Sequence, residues 1–527
     1  MVRRVLVSDE IGSLEATRVA RQAQLDDGLS RDRRNEMGQF ATPSLLADDI
    51  ARAVAKFWDH RQAIRFLEPA LGTGAFYSAL LRSFPADEIE SAAGVERDRE
   101  YASAAQQIWG QLGLKVTTAD FTTLTRPDEA HAPNLILTNP PYVRHHHLTS
   151  REKGRFQKLA CLVSGGSVSG LSGLYIYFVF AAHQWLAEGG LAAWLIPSEF
   201  MDVNYGESLR RYFSRQVSLL QIHRFDPSDV QFADALVSSA VVIFRRQIPA
   251  GDHKVEVSHG GSVSDPHFRH DVPVTSLQSN PKWSRLFNGG CLTQRSEMPL
   301  AMLFTIKRGI ATGANEFFIL PRRELAKHGI PERFVKPILP SARLLESDVI
   351  ESDDTGFPLI KEQLVVIDTD LPMERIRQEC IGLWRYLQEG QRNGIQKGYL
   401  LTKRWPWYRQ EQRPPAPFLC TYMGRKKDDG KTFRFFWNRS SAIAANTYLL
   451  LYPAGPLRAA LTSSPEIARR ILSLLNSLEP ARFAEQGRVY GGGLFKMEPG
   501  ELGSVDATTV VAELNLAVAT QPSLIGA

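Results

Sequence analysis

The chain is predicted to open with an α/β domain, a wound and mostly parallel sheet flanked by helices, and to close with a mixed α+β domain. Three observations carry this. Between residues 36 and 246, apolar runs of strand length alternate with stretches of helical spacing, the pattern of parallel strands joined by crossover helices. Residues 247–294 are rich in Gly, Ser, His and Pro and break that pattern. From 295 onward, short strands and helices mix without a clear period. The expected organisation is an N-terminal extension at 1–35, an α/β domain at 36–246, a linker or irregular crossing at 247–294, and a second domain at 295–527.

The elements follow in order. Gly38-Gln-Phe-Ala-Thr42-Pro43 leads into SLLADDIARAVAKF, where Thr42 suits a helix cap and Pro43 the first turn. Leu46, Ile50, Val54 and Phe57 mark one apolar face of that helix. Strands are expected at Ile64–Leu67, Ala92–Val95, Lys115–Thr118, Leu135–Leu137, Leu191–Ile196, Leu219–His223 and Leu236–Phe244. Helices are expected at Gly74–Ser83, Arg99–Leu112, Leu174–Leu186 and Tyr205–Phe213.

Composition narrows the function classes. With 43% apolar and 23% charged residues among 527, wholesale disorder is excluded. No apolar run approaches the ~18 residues of a membrane span, and the start MVRRVLVSDE meets acids before any apolar core, unlike a secretory signal. The four cysteines, Cys161, Cys291, Cys380 and Cys420, form no CxxC pair. A disulfide framework is therefore not expected, and a cytoplasmic setting is. Charge is uneven: residues 1–250 hold 27 basic and 28 acidic groups, residues 251–527 hold 35 and 29, and 401–450 alone hold ten and three. A basic surface of that kind fits an anionic polymer, and a plain solvated face fits it as well.

Two constellations carry chemistry. In Glu68-Pro-Ala-Leu-Gly72-Thr-Gly74-Ala-Phe76, glycines between a strand and a helix let backbone N–H groups approach a ligand. Glu96 ends the next strand 24 residues after Gly72, where a carboxylate can accept both hydroxyls of a ribose. Asp120-Phe121 ends the following strand another 24 residues on, offering an acid to an adenine amino group and a ring beside it. No Walker lysine follows the glycines, so a nucleoside without phosphates fits better than ATP. The second constellation is Leu135-Ile-Leu-Thr-Asn139-Pro140-Pro141-Tyr142, a buried strand ending in a rigid polar turn. The prolines strip two donors and leave carbonyls free. The Asn139 side-chain oxygen and the Pro140 carbonyl can accept from one NH₂ group, and Tyr142 offers a stacking face. Two such acceptors raise electron density on an amide-like nitrogen and make it nucleophilic.

GQFATP, LEPALGTGAF, GVE, ADF, NPPY and GGLAAWLIPSEF occur here in one order. That order resembles the amino-methylating DNA methyltransferases that use S-adenosylmethionine. It looks closest to the adenine-N6 enzymes of the gamma arrangement, and LFTIKRGIATGANEFFIL and AANTYLLLYP resemble the specificity domain of TaqI-like enzymes of type II restriction-modification. The resemblance implies a Rossmann-like methyltransferase domain and a target-recognition domain. It implies that Thr42 closes over the methionine part of the cofactor, that Glu68, Gly72 and Gly74 line its methionine and sulfonium side, that Glu96 holds the ribose, and that Asp120 and Phe121 hold the adenine. Phe178 would pack near that ring or simply in the core. Asn139, Pro140 and Pro141 would present the acceptors, Tyr142 would stack on the target base, and Phe232, with Phe225 as runner-up, would supply a further aromatic. The implied substrate is double-stranded DNA with the adenine flipped out, modified beside a separately acting cognate restriction endonuclease.

Segment 401–450 interleaves basic and planar residues, and Arg425, Lys426, Lys427 and Lys431 are the expected phosphate contacts. His145-His146-His147 has diverging side chains and no HExxH partner, so no metal site is expected. None of the four cysteines follows a proline, which excludes a Pro-Cys nucleophile for cytosine-C5 chemistry. A protein glutamine methyltransferase shares NPPY but not the long basic second half. Cytosine-N4 methylation is the nearest chemical alternative; Ser or Asp usually stands there in place of Asn139.

Overall fold

The apolar runs of the first half pair into a nine-stranded sheet. In the computed structural model, residues 8–30, 33–34, 37–143, 145–226, 231, 238–287, 298–425, 432–490 and 494–516 are described. The chain divides into two compact units, residues 1–292 with 490–492, and residues 293–489 with 493–527.

In the first unit the strands are β1 (Ile64–Glu68), β2 (Ile89–Glu96), β3 (Leu114–Thr118), β4 (Leu135–Thr138), β5 (Leu191–Pro197), β6 (Ser218–Arg224), β7 (Ser239–Arg245), β8 (Lys254–Gly261) and β9 (Pro266–Pro273). Their order across the sheet is β3-β2-β1-β4-β5-β7-β6-β8-β9. β1 to β5 are mutually parallel, β7 runs antiparallel between β5 and β6, and β9 is antiparallel to β8. The strand order reverses between β1 and β4, so a crevice opens at their carboxyl ends, the place where open sheets of this kind bind ligands. β4 is buried throughout, and β5 likewise, as central strands covered on both faces must be. One contiguous core joins the sheet to the helices, with Trp109, Trp194, Tyr77, Tyr212 and Phe66 among its largest members.

The helices Ala75–Ser83, Arg99–Trp109, Leu174–His183 and Glu207–Arg215 form where helical spacing predicts them. Three features differ from the sequence expectation. The helix after Pro43 spans Ser44–Ala55, and Thr42 does not cap it; no side chain does. The stretch 247–294, expected as a crossing, contributes β8 and β9. β8 buries Val255 and Val257 against the core, while β9 is an edge strand that buries little beyond Val272. Edge strands need few apolar residues, so composition alone reads them as loop. Within the N-terminal extension a 20-residue helix, Ser8–Asp27, packs on the helices Ala75–Ser83 and Arg99–Trp109.

The second unit is mixed α+β. A five-stranded sheet has the order Phe304–Arg308, Tyr448–Pro453, Phe418–Thr421, Phe435–Asn438, Val349–Ile350. Its pairings are antiparallel except the last. A separate three-stranded antiparallel sheet joins Ile319–Pro321, Leu364–Ile367 and Val335–Ile338. Helices such as Ile381–Arg392 and Ile467–Asn476 cover apolar clusters beside them. Among the described residues no helix is long and apolar enough to cross a membrane.

Candidate active site

The ends of β1, β2, β3 and β4 meet around one cavity of about 690 Å3. Thr42, Glu68, Gly72, Glu96, Asp120, Phe121, Asn139, Pro140, Pro141 and Phe178 all line it. The size suits a nucleoside-sized ligand.

Glu68, at the end of β1, is 2% exposed and accepts the Tyr77 N–H at 3.2 Å. Burial pushes its carboxyl well above the ordinary carboxylate range. The turn that follows is held by Leu71 N–H donating to the Val95 carbonyl (2.9 Å) and Gly74 N–H donating to the Leu71 carbonyl (2.9 Å). Gly72 has φ 54° and a Cβ there would meet open space, so backbone conformation rather than crowding requires glycine. Gly74 has φ 89°, and a Cβ there would also lie 2.8 Å from the Trp109 ring, so both conformation and crowding require glycine. Gly74 is not among the residues lining the cavity.

Glu96 is clamped by backbone. Oε2 accepts the Gly72 N–H and Oε1 accepts the Asp98 N–H, both at 2.8 Å. Burial raises its pKa and these N–H groups oppose the rise. Each carboxylate oxygen keeps a second lone pair for a ligand hydroxyl. Asp120 accepts from Thr122 N–H (2.9 Å) and Thr122 O–H (2.6 Å), both through Oδ1, and Oδ2 has no partner among the described residues. Phe121 lies 5.8 Å from Phe178 and 5.0 Å from Trp185, so both of the expected rings border the cavity as one aromatic cluster.

Asn139 is the point of contact between the NPPY turn and the GQFATP segment. Its Nδ2 donates to the Phe40 carbonyl at 3.0 Å and to Thr42 Oγ1 at 3.2 Å. The Thr42 hydroxyl thus serves Asn139 rather than the helix end. With Nδ2 held, Oδ1 has a fixed direction, and it is buried with no hydrogen-bond partner. A buried, unpartnered acceptor in a cavity wall is costly unless a ligand completes it. The Pro140 carbonyl likewise accepts nothing from the described residues. Tyr142 N–H donates to the Gly38 carbonyl at 3.0 Å, which ties the two segments along the backbone.

Tyr142 itself turns inward. It is 8% exposed, is not among the residues lining the cavity, and donates its hydroxyl to the Leu195 carbonyl at 3.0 Å. Its ring lies 5.6 Å from Phe40. Phe232 lies outside the described residues. Phe225 is 3% exposed, with its ring 4.7 Å from His223 and away from the cavity lining. Arg18, Gln22, Asp26 and Tyr101 also line the cavity, and no sequence motif marks them.

In the second unit, Arg425 is exposed at the end of the strand Met423–Arg425, and Lys426, Lys427 and Lys431 lie outside the described residues. Other cations of segment 401–450 are committed to the fold. Arg404 donates to the Ala311 and Thr312 carbonyls, Arg434 pairs with Asp348, and Arg439 pairs with Glu351. Tyr408 and Tyr422 are buried, whereas Trp405 is 90% exposed and Tyr399 78%, with Lys403 Nζ 6.0 Å from the Tyr399 ring centre.

Residues 114–231 match the family model described as Eco57I restriction-modification methylase, and residues 291–521 match the model of the C-terminal domain of the type II methyltransferase M.Eco57I. Type II methyltransferase M.XamI of Xanthomonas campestris pv. amaranthicola is 27% identical over 450 residues, covering 83% of this chain and 79% of that protein. Type II methyltransferase M.AccI of Acinetobacter calcoaceticus is 25% identical over 496 residues, covering 90% and 86%. The solved structure of the Type IIL restriction-modification enzyme MmeI in complex with DNA shares the fold at TM-score 0.52 and 12% identity, over 84% of this chain and 66% of that one.

Proposed function

We infer that this chain, a member of the type II restriction-modification methyltransferases, transfers a methyl group from S-adenosylmethionine to N6 of a flipped-out adenine at one sequence in double-stranded DNA. The setting is the bacterial or archaeal cytoplasm, with a cognate endonuclease acting separately. The observation that carries the reading is the buried, unpartnered Oδ1 of Asn139, held in direction by Phe40 and Thr42.

The residues present fit the cofactor. Glu96, with both oxygens anchored on backbone N–H groups, offers its remaining lone pairs to ribose hydroxyls. Asp120 Oδ2 is open to the adenine amine, with Phe121 and Phe178 beside the ring. When bound, S-adenosylmethionine supplies an electrophilic methyl group. Asn139 Oδ1 and the Pro140 carbonyl accept both hydrogens of the target amine, drawing its lone pair out of the base and aiming it. Catalysis then rests on position and on dipoles already in place, with no covalent enzyme intermediate. Extrusion of the base costs roughly a few kcal/mol, which contacts in the site must return.

Single-molecule sequencing of DNA from cells expressing the chain tests this directly. N6-methyladenine confined to one sequence is expected. N4-methylcytosine, or no modified base from a folded and cofactor-loaded protein, overturns the assignment.

Two further outcomes follow here. Glu96→Ala is expected to weaken S-adenosylmethionine binding by about tenfold or more, since a hydrogen bond to a charged group contributes roughly 1.5–3 kcal/mol. Calorimetry showing unchanged affinity in a folded variant would remove Glu96 from the ribose role. In the second unit, Lys403 and Arg409 are exposed, two and four residues from the exposed Trp405 in the chain. If both meet phosphate, their replacement by glutamine lowers the salt slope of log K by about 1.8, roughly 0.9 per contact. Specificity changes little, because phosphate contacts position and do not read sequence. Duplex affinity against salt gives the answer, and equal slopes put the DNA surface elsewhere.

A further inference from the structure

The helix Ser8–Asp27 is unlike an ordinary surface helix because its inward face is ionic. Arg18 is 2% exposed. Its Nε and Nη2 donate to the two oxygens of Glu15, each at 2.7 Å, and Nη2 also donates to Ser44 Oγ at 3.1 Å. Nη1 donates to Thr73 Oγ1 at 3.2 Å. The Thr73 hydroxyl passes the chain on, donating to Gln22 Oε1 at 2.7 Å, while the Thr73 carbonyl accepts the Trp109 indole N–H at 2.9 Å. One turn further, Asp26 Oδ1 accepts from Gln22 Nε2 at 3.0 Å and from the Tyr101 hydroxyl at 2.7 Å.

Arg18, Gln22 and Asp26 stand four residues apart, on one face of the helix. All three line the same cavity as Gly72, Thr73 and Glu96. A buried ion pair is a poor way to gain stability, since desolvation offsets most of the attraction and apolar residues would serve as well. It does give direction. Here the direction is toward Thr73, inside the turn whose Gly72 N–H anchors Glu96.

We propose that the helix Ser8–Asp27 is a working part of the cofactor site. Arg18 and Gln22 are positioning residues that hold the Thr73 hydroxyl and thereby the Leu71–Gly74 turn. Gln22 and Asp26 present polar groups to the hydroxyl and ammonium donors of the ligand. The inference rests on reading the cavity as the S-adenosylmethionine site, so the experiment must separate the two.

S-adenosylhomocysteine is titrated calorimetrically into the full-length protein and its variants, with melting of the unliganded proteins as the check on folding. Thr73→Val keeps the shape and removes the hydroxyl; affinity is expected to fall about tenfold. Thr73→Ser restores the hydroxyl and is expected to bind within about twofold of wild type, a rescue that mere packing would not produce. Gln22→Ala and Asp26→Asn, both only partly buried, are expected to weaken binding and raise KM for the cofactor, with KM for DNA unchanged. Glu96→Ala is the reference. Folded variants at Thr73, Gln22 and Asp26 that bind like wild type, while Glu96→Ala does not, overturn the helix assignment alone. A wild-type protein that takes up no S-adenosylhomocysteine overturns both readings.

Discussion

Replacing Asn139 with alanine is expected to remove methyl transfer while leaving S-adenosylmethionine binding nearly intact. The side chain does two separable things. Its Nδ2 closes the GQFATP segment over the turn by donating to Phe40 and Thr42, and its Oδ1 stands buried and unpartnered in the cavity wall. In the proposed reading, cofactor binding draws mainly on Glu96, Asp120 and the aromatic pair, none of which hydrogen-bonds to Asn139. The acceptor, by contrast, is needed only when the target amine arrives, and a preorganised hydrogen-bonding group of that kind contributes roughly 10²–10³ in kcat. Alanine also leaves the Phe40 carbonyl without its donor, so a small loss in cofactor affinity, about threefold, is expected beside the large catalytic one. Cofactor titration and a methylation assay on the same preparation separate the two. Full activity, or complete loss of cofactor affinity, would show that Asn139 does something else.

Gly38→Ala is expected to lower kcat about 100-fold in a protein that still folds, because an ångström of misplacement at a reacting centre is enough for that. Gly38 has φ 64°, in the left-handed region. A Cβ on it would fall 2.4 Å from the Tyr142 nitrogen and 2.6 Å from Tyr142 C and the Val143 nitrogen. All three are backbone atoms, so no side chain can swing aside. Either the GQFATP segment lifts or the NPPY turn shifts, and either movement pulls Phe40 and Thr42 away from Asn139 Nδ2. Gly113→Ala is the control: φ is 97° there, but nothing lies within 4 Å of the added carbon. That variant carries the backbone strain without the clash, and is expected to lose some stability and to keep kcat. Wild-type turnover in Gly38→Ala would mean that the two segments need not touch for catalysis.

Much of this site was legible because each part is a local run with its own punctuation. A strand, then glycines or an acid, then a helical pattern places Glu68, Glu96, Asp120 and Asn139 each at a strand end, and a parallel sheet brings such ends to one edge. Spacing is enough to expect Glu68, Glu96 and Asp120 together, and the family resemblance adds Asn139. The N-terminal helix illustrates the opposite case. Its inward face holds Glu15 and Arg18 between Ile11 and Leu25, so the apolar stripe that marks a buried helix face is interrupted by charge. β9 has a related cause, since an edge position asks for little apolar surface, and in β8 the buried Val255 and Val257 are set among Gly, Ser and His that read as loop.

By itself the sequence determined the wound sheet, the order of its cavity-facing ends and the chemical types gathered there, because these follow from periodicity and from the short reach of the chain between neighbours. Only the tertiary structure decided which partners those groups take. Thr42 looks like a helix cap until Asn139, 97 residues away, claims its hydroxyl. Tyr142 looks like a stacking face from its place in NPPY, and packing adds that its phenol donates to the Leu195 carbonyl and its ring lies outside the cavity lining. Arg18, which carries no signal in the sequence, is buried by its bonds to Thr73 and Glu15. Hydrogen bonding and desolvation act between atoms close in space, and their demands appear in the chain only once distant segments have been packed against each other.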